Sequence, residues 1–167
     1  MEDIEVSYMT KTDVDSISKI LQSEFDDFWN VNILESEILN PESIYIIAKR
    51  NNEIVGFAGI WDDTYNMHIT NIAVKKSYRK KGIGSILLKK LIQITKEKSK
   101  ESITLEVNEL NEVAINLYLK NNFKILGKRK KYYNGVNDAI IMTMEVTNEK
   151  KWIKLQTAKK HMQARCV

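Results

Sequence analysis

HITNIAV (residues 68–74), KKSYRKKGIG (75–84) and SILLKKLIQITKEKSK (85–100) run consecutively, and their reading decides the fold. The first is strand-like. The last places Ile86, Leu87, Leu91 and Ile94 on one predicted helix face and lysines on the other. Between them lies Arg79-Lys80-Lys81-Gly82-Ile83-Gly84, a basic, glycine-containing loop. A strand that feeds such a loop into a helix is a phosphate site. Unpaired N–H groups of the first helical turn point at an anion, the helix dipole favours it, and glycines let the backbone approach. Arg79, Lys80 and Lys81 add charge. Neither a Walker A pattern nor the three-glycine dinucleotide fingerprint is present. Taken alone, the loop also reads as a plain glycine turn before a basic helix.

Working outward, IEVSYM (4–9) is a predicted strand, and Thr12 or Asp13 is placed to cap one helix over VDSISKILQSEF (14–25). FDDFWN (25–30) reads as a loop and VNILESEIL (31–39) as a second helix. Pro41, the single proline, punctuates the passage to SIYIIAKR (43–50), which forms a hairpin with EIVGFAGIWD (53–62) across Asn51-Asn52. Beyond the basic helix, SITLEVNE (102–109) is a strand, EVAINLYLKNN (112–122) a helix, and FKILGKRKKYY (123–133) and DAIIMTMEV (138–146) are two last strands. This order implies an α/β (α+β) mixed sheet with helices on both faces. One domain is expected over residues 1–146. TNEKKWIKLQTAKKHMQARCV (147–167) is a basic extension, either a short amphipathic helix or disordered.

The loop RKKGIG and, after the strand TLEV, the segment NEVAINLYLKNNF (111–123) together resemble the GNAT acetyltransferase superfamily: an Arg-x-x-Gly-x-Gly pyrophosphate loop, then Asn-x-x-Ala-x-x-Leu-Tyr and a closing Asn-Phe. HITNIAV, TLEVNELN and KKYYNGVNDAIIMTMEV are similar to the ribosomal-protein-alanine N-acetyltransferases (RimI-type) within it. The resemblance covers roughly residues 3–146. It implies the GNAT fold, a mostly antiparallel mixed sheet of about seven strands, with acetyl-CoA as co-substrate.

The resemblance also implies roles. Arg79, Lys80, Lys81, Gly82, Ile83 and Gly84 match the pyrophosphate loop for coenzyme A. Ile72, Ala73 and Val74 match the strand that pairs with the pantetheine arm and polarises the thioester carbonyl, as an oxyanion hole does. Asn111 matches a residue touching that arm, and equally reads as the N-cap of its helix. Tyr118 matches the tyrosine that protonates the departing thiolate; its plainer reading is an aromatic packed on a helix face. Glu106 matches a general base acting through water, though strand alternation alone also predicts an outward residue there. The paired Tyr132 and Tyr133 match tyrosines that hold the first residues of an acceptor peptide. Phe28 and Trp29 fall where the family's substrate-lining connection lies, with Phe28 standing where a proline is common.

Composition bounds the partners. Residues 1–45 carry eleven acidic against two basic side chains, whereas residues 71–100 carry ten basic against one acidic. This polarity fits a basic acceptor, such as the N-terminus of a ribosomal protein, and an anionic co-substrate. The only cysteine, Cys166, excludes a disulfide framework, and no signal peptide or membrane span is legible, so a cytoplasmic protein is expected. His68 has no Cys/His/Asp companions, so no metal is expected. Direct nucleic-acid binding is not expected either, although the basic tail offers an electrostatic contact with ribosomal RNA. The expected state is a monomer or weak dimer. The leading function is acetyl transfer to a protein N-terminal α-amine. Alternatives are transfer to lysine, a polyamine or another small amine, and a non-catalytic acyl-CoA sensor or ribosome-binding module.

Overall fold

The computed structural model describes residues 3–25 and 31–146. Phe28 and Trp29, and the extension 147–167, lie outside the described residues.

Among the described residues, thirteen elements follow in chain order, one of them a 3-10 turn over Lys76–Tyr78. The strands are β1 (Glu5–Tyr8), β2 (Ser43–Arg50), β3 (Glu53–Asp62), β4 (Asn66–Val74), β5 (Ser102–Asn108), β6 (Lys124–Tyr133) and β7 (Asn137–Glu145). The helices are α1 (Lys11–Ser18), α2 (Leu21–Glu24), α3 (Val31–Leu39), α4 (Ile83–Glu97) and α5 (Glu112–Lys120). One seven-stranded sheet has the order β1-β2-β3-β4-β5-β7-β6, antiparallel except at β4–β5. Among the described residues, no helix is long and apolar enough to cross a membrane.

Two cores lie on opposite faces of the sheet. α4 presents Ile83, Leu87, Leu88, Leu91, Ile94 and Thr95 to one face, where Ile46, Ala58 and Met67 meet them. Each such fully buried aliphatic side chain contributes about 1.5–3 kcal/mol. Ile86, expected on that stripe, is 37% exposed, and Leu88 takes its place. On the other face, Val14, Ile17, Leu21, Phe25 and Leu34 from α1–α3 cover Tyr45, Ile47 and Phe57.

The N-terminal helix differs from its expected form. Its cap is Thr10, whose Oγ1 accepts from the Asp13 N–H while the Asp13 carboxylate accepts from the Thr10 N–H: a reciprocal capping box that starts two or three residues earlier than expected. The helix then ends at Ser18, and α2 restarts at Leu21. The β2–β3 hairpin matches expectation, with Asn51 and Asn52 at φ 48° and 65°, left-handed values that asparagine tolerates and a two-residue hairpin turn requires.

Candidate functional site

The site begins with a slip in β4. Along NMHITNIAV, Met67 and Ile69 pack toward α4, and so do Ile72 and Val74. Odd positions give way to even ones because the strand carries a bulge: Gly59 pairs with Asn71 and Ile60 with Ile69, which leaves Thr70 as the extra residue. Thr70 and Asn71 therefore both face the α1–α3 side. A hydrogen bond of 3.1 Å between Tyr45 Oη and Thr70 Oγ1 pins the bulge. The Tyr45 ring crosses Gly59, where an added Cβ would stand 2.4 Å from Tyr45 Cζ, so only glycine admits the ring. Burial pushes the Tyr45 phenol well above its ordinary range, against the opposing hydrogen bond with Thr70, and keeps it neutral.

Past the bulge the sheet opens. β4 and β5 pair only over Asn66–His68 against Ser102–Thr104, and beyond that point they diverge. The gap is a cleft of about 950 Å³. One wall is α-helical: Ile83 and Gly84 from α4, then Asn111, Ala114, Leu117 and Tyr118 from α5. The strand edges supply Ile72, Ala73, Val74, Leu105, Glu106 and Val107. Leu21, Phe25 and Phe57 line its α1–α3 side, and Tyr133 closes it from the β6–β7 hairpin.

The basic loop wraps the start of α4. Gly82 sits at φ 84° as N-cap with open space where a Cβ would be, and Lys80 is also left-handed at φ 59°. Ser85 and Ile86 donate to the Gly82 carbonyl, which leaves the N–H groups of Ile83 and Gly84 at the open helix end. Arg79 and Lys80 line the cleft. Arg79 Nε also donates to the Val74 carbonyl at 3.3 Å. Lys81 does not line the cleft: its Nζ donates to the Ser77 carbonyl at 3.1 Å and lies over the Tyr78 ring. The cleft's size and its helix-end donors beside Arg79 and Lys80 fit a phosphate-bearing ligand as large as acetyl-CoA.

The other expected residues fall as follows. Asn111 caps α5, its Oδ1 accepting from the Ala114 N–H at 3.1 Å, and lines the cleft as well. Tyr118 is 7% exposed and packs on Phe123 with ring centroids 5.5 Å apart. Burial, aided by nearby Tyr133, pushes its phenol well above the usual range, which keeps it neutral. Glu106 points to the α1–α3 side of β5, opposite the buried Leu105 and Val107. Its Oε1 lies 3.0 Å from Arg129 Nη1, which reaches across β7. Tyr133 Oη donates to the Glu106 carbonyl at 3.2 Å. Tyr132 stays outside the cleft, edge-on to Tyr133 and stacked against the Arg129 guanidinium. His68 keeps an Nε2 contact of 4.0 Å with Asp63. Among the described residues, no group of three or more His, Cys, Asp or Glu is assembled as a metal would need.

Asn71 and Arg129 were not singled out from the sequence. An asparagine inside an apolar strand, next to a break in alternation, was the available signal for the first. For Arg129 there was none, because its partner lies two strands away.

Comparison with known proteins comes from both sequence and structure. The model of the Acetyltransferase (GNAT) family matches residues 14–123. A Bacillus subtilis protein, a candidate [ribosomal protein bS18]-alanine N-acetyltransferase, is 34% identical over 144 residues, 84% of this chain and 95% of its own length. The Haemophilus influenzae [ribosomal protein bS18]-alanine N-acetyltransferase is 32% identical over 143 residues, 82% of this chain and 95% of that one. Among solved structures, the ribosomal-protein-S18-alanine N-acetyltransferase from Escherichia coli superimposes with a TM-score of 0.79 at 26% identity, covering 87% of this chain and 95% of that one.

Proposed function

This chain belongs to the acetyltransferase (GNAT) family, whose members use acetyl-CoA, and we propose that it acetylates the N-terminal α-amine of a protein. The observation that carries this reading is one cleft, opened between β4 and β5, lined by a carboxylate, a neutral buried phenol and a hairpin tyrosine: Glu106, Tyr118 and Tyr133. The names of the relatives support it, and they also support the N-terminal alanine of a ribosomal protein as the acceptor. The acidic N-terminal third adds support for a basic acceptor of that kind.

Acetyl-CoA supplies an acetyl thioester. Arg79, Lys80 and the helix-end N–H groups of Ile83 and Gly84 hold its phosphates, with Lys81 adding charge from outside the cleft. The β4 backbone at Ile72, Ala73 and Val74 faces the gap and offers donors for the charge that develops on the carbonyl oxygen. Glu106 takes a proton from the incoming ammonium, through water. An α-amino group ionises near 8, roughly, so a modest base suffices. The amine nitrogen forms a bond to the carbonyl carbon, the carbon–sulfur bond breaks and Tyr118 gives its proton to the leaving sulfur, while the second proton shed by the nitrogen passes through water and restores the Tyr118 phenol. Tyr133 holds the first residues of the acceptor, with Tyr132 packed edge-on behind it outside the cleft, and Phe28 and Trp29 keep only the acceptor-lining role that the resemblance implies. The catalytic unit is residues 1–146 with 147–167 appended, it works without a metal in the cytoplasm, and it acts as a monomer or weak dimer.

The test measures CoA release with acetyl-CoA and two basic peptides. One has a free N-terminal alanine and no lysine; the other has a blocked N-terminus and an internal lysine. Turnover of the first alone is expected. Turnover of the second alone overturns the reading in favour of a lysine acceptor. Silence with both, despite acetyl-CoA binding, overturns it in favour of a small amine or a sensor.

A further inference from the structure

Among the described residues, Asn71 holds the buried side-chain nitrogen and oxygen that find no hydrogen-bond partner. An amide buried in this way is costly, and native chains rarely keep one without a use. Its setting states what the use is. The bulge at Thr70 turns two consecutive polar side chains to the same face; Thr70 is taken by Tyr45, and Asn71, a cleft-lining residue, is left with its amide buried and unpaired. That face is the one shared by Phe57, Ala73 and, across the gap, Glu106. It lies opposite Ile72 and Val74, which face α4.

We propose that Asn71 recognises the first residue of the acceptor, Oδ1 accepting an N–H of the attacking amine and Nδ2 donating to the carbonyl oxygen of the same residue. In an extended chain the amine and carbonyl of one residue lie on the same side, and a side-chain amide matches that pair with one acceptor and one donor. The nitrogen keeps its lone pair for attack. A lysine ε-amine has no carbonyl at that distance and leaves Nδ2 unpaired, so Asn71 makes the site specific for an α-amine. This rests on the N-terminal reading above and names the residue that enforces it.

The test uses two isomeric peptides that differ only in starting with alanine or with β-alanine, which moves the carbonyl one carbon away. The wild-type protein is expected to prefer the alanyl peptide by about tenfold or more in kcat/KM, the worth of one hydrogen-bonded pair left unmade. Asn71→Leu, of similar size, is expected to lower kcat/KM for the alanyl peptide by roughly 10- to 100-fold, to bring the ratio between the peptides toward one, and to leave the melting temperature unchanged or higher. Acetyl-CoA affinity stays unchanged. A wild-type ratio near one overturns the proposal without any variant. So does a variant that slows both peptides equally, or one that loses acetyl-CoA affinity. If the wild type modifies neither peptide but does modify a lysine side chain, the N-terminal reading falls and the Asn71 role with it. If the alanyl peptide is modified and the ratio is indifferent to Asn71→Leu, only the Asn71 role falls.

Discussion

Replacing Tyr118 by phenylalanine removes one oxygen atom and separates catalysis from folding. The ring is buried against Phe123, and phenylalanine keeps that packing. The hydroxyl makes no hydrogen bond within the described chain, and burial is the main force holding its proton on. Removing a hydroxyl that meets the cleft and bonds to nothing in the described fold is close to neutral for stability, so the melting temperature should move by less than about 2 °C. Its loss to the reaction is another matter. A positioned general acid contributes about 10²–10⁴-fold, or roughly 3–5 kcal/mol in the barrier at 1.36 kcal/mol per tenfold. The assay is CoA release at saturating acetyl-CoA and alanyl peptide, run beside a thermal melt. Because burial raises the phenol, its ionisation should cause no fall in wild-type kcat anywhere between pH 6 and 9. Turnover of Tyr118→Phe within threefold of wild type refutes the role, and so does a loss that merely follows a lowered melting temperature.

Glu106→Gln keeps the shape and removes the base; turnover should fall about 100-fold with acetyl-CoA affinity unchanged, and an unaltered rate would remove Glu106 from the chemistry. Gly59→Ala drives a methyl into the Tyr45 ring, so it should cost about 1–3 kcal/mol by overpacking and lower the melting temperature by roughly 3–10 °C, whereas an unchanged melt would show that the ring moves freely. Burial alone would raise the Asp13 carboxyl, but hydrogen bonds from Lys49 and Thr10 outweigh it and hold it below its ordinary value. The stability this gives is present above the unfolded carboxyl's range near 3.9, roughly, and is lost as pH falls through the lower folded value. Asp13→Asn should therefore flatten the acid limb of a melting-temperature profile below about pH 4 and also lose about 1 kcal/mol of capping at neutral pH; an unaltered acid limb would count against the pairing.

Much of the fold could be read from the chain because its signals are local. The Asn51-Asn52 turn, the alternation of β5 and the glycine loop before α4 each need only neighbouring residues. The errors arose where two local rules competed. Thr10, Thr12 and Asp13 all favour an N-cap, and only the reciprocal bond between Thr10 and Asp13 decides among them. On α4, successive side chains turn about 100°, so Ile86 falls well over a quarter turn from the line through Leu87 and Leu91 and yields to Leu88. The site was legible as a set of residue types at family spacing, but not as geometry. Lys81 turns to Tyr78, Tyr132 stacks outside the cleft, and Arg129 reaches Glu106 from β6, because sheet order and loop curvature set those placements. Asn71 was hidden for a related reason: a bulge changes which side of the sheet a residue faces, and alternation assumes there is none.

The brevity of the β4–β5 ladder has a mechanical consequence. Three residue pairs form the seam between a sheet half made of β1–β4 and another made of β5–β7, with α4 as the strap joining them. A molecule seated in the opening acts as a splint, since it completes edges that the protein leaves bare. Its binding stabilises the whole chain by mass action, by about 2.7 kcal/mol when it is present at a hundred times its dissociation constant. Amide exchange should then slow first along residues 69–74 and 105–108, on the two lips of the seam. The protein is thus hardest to unfold when its acyl donor is plentiful, and its persistence follows the supply of the compound it consumes.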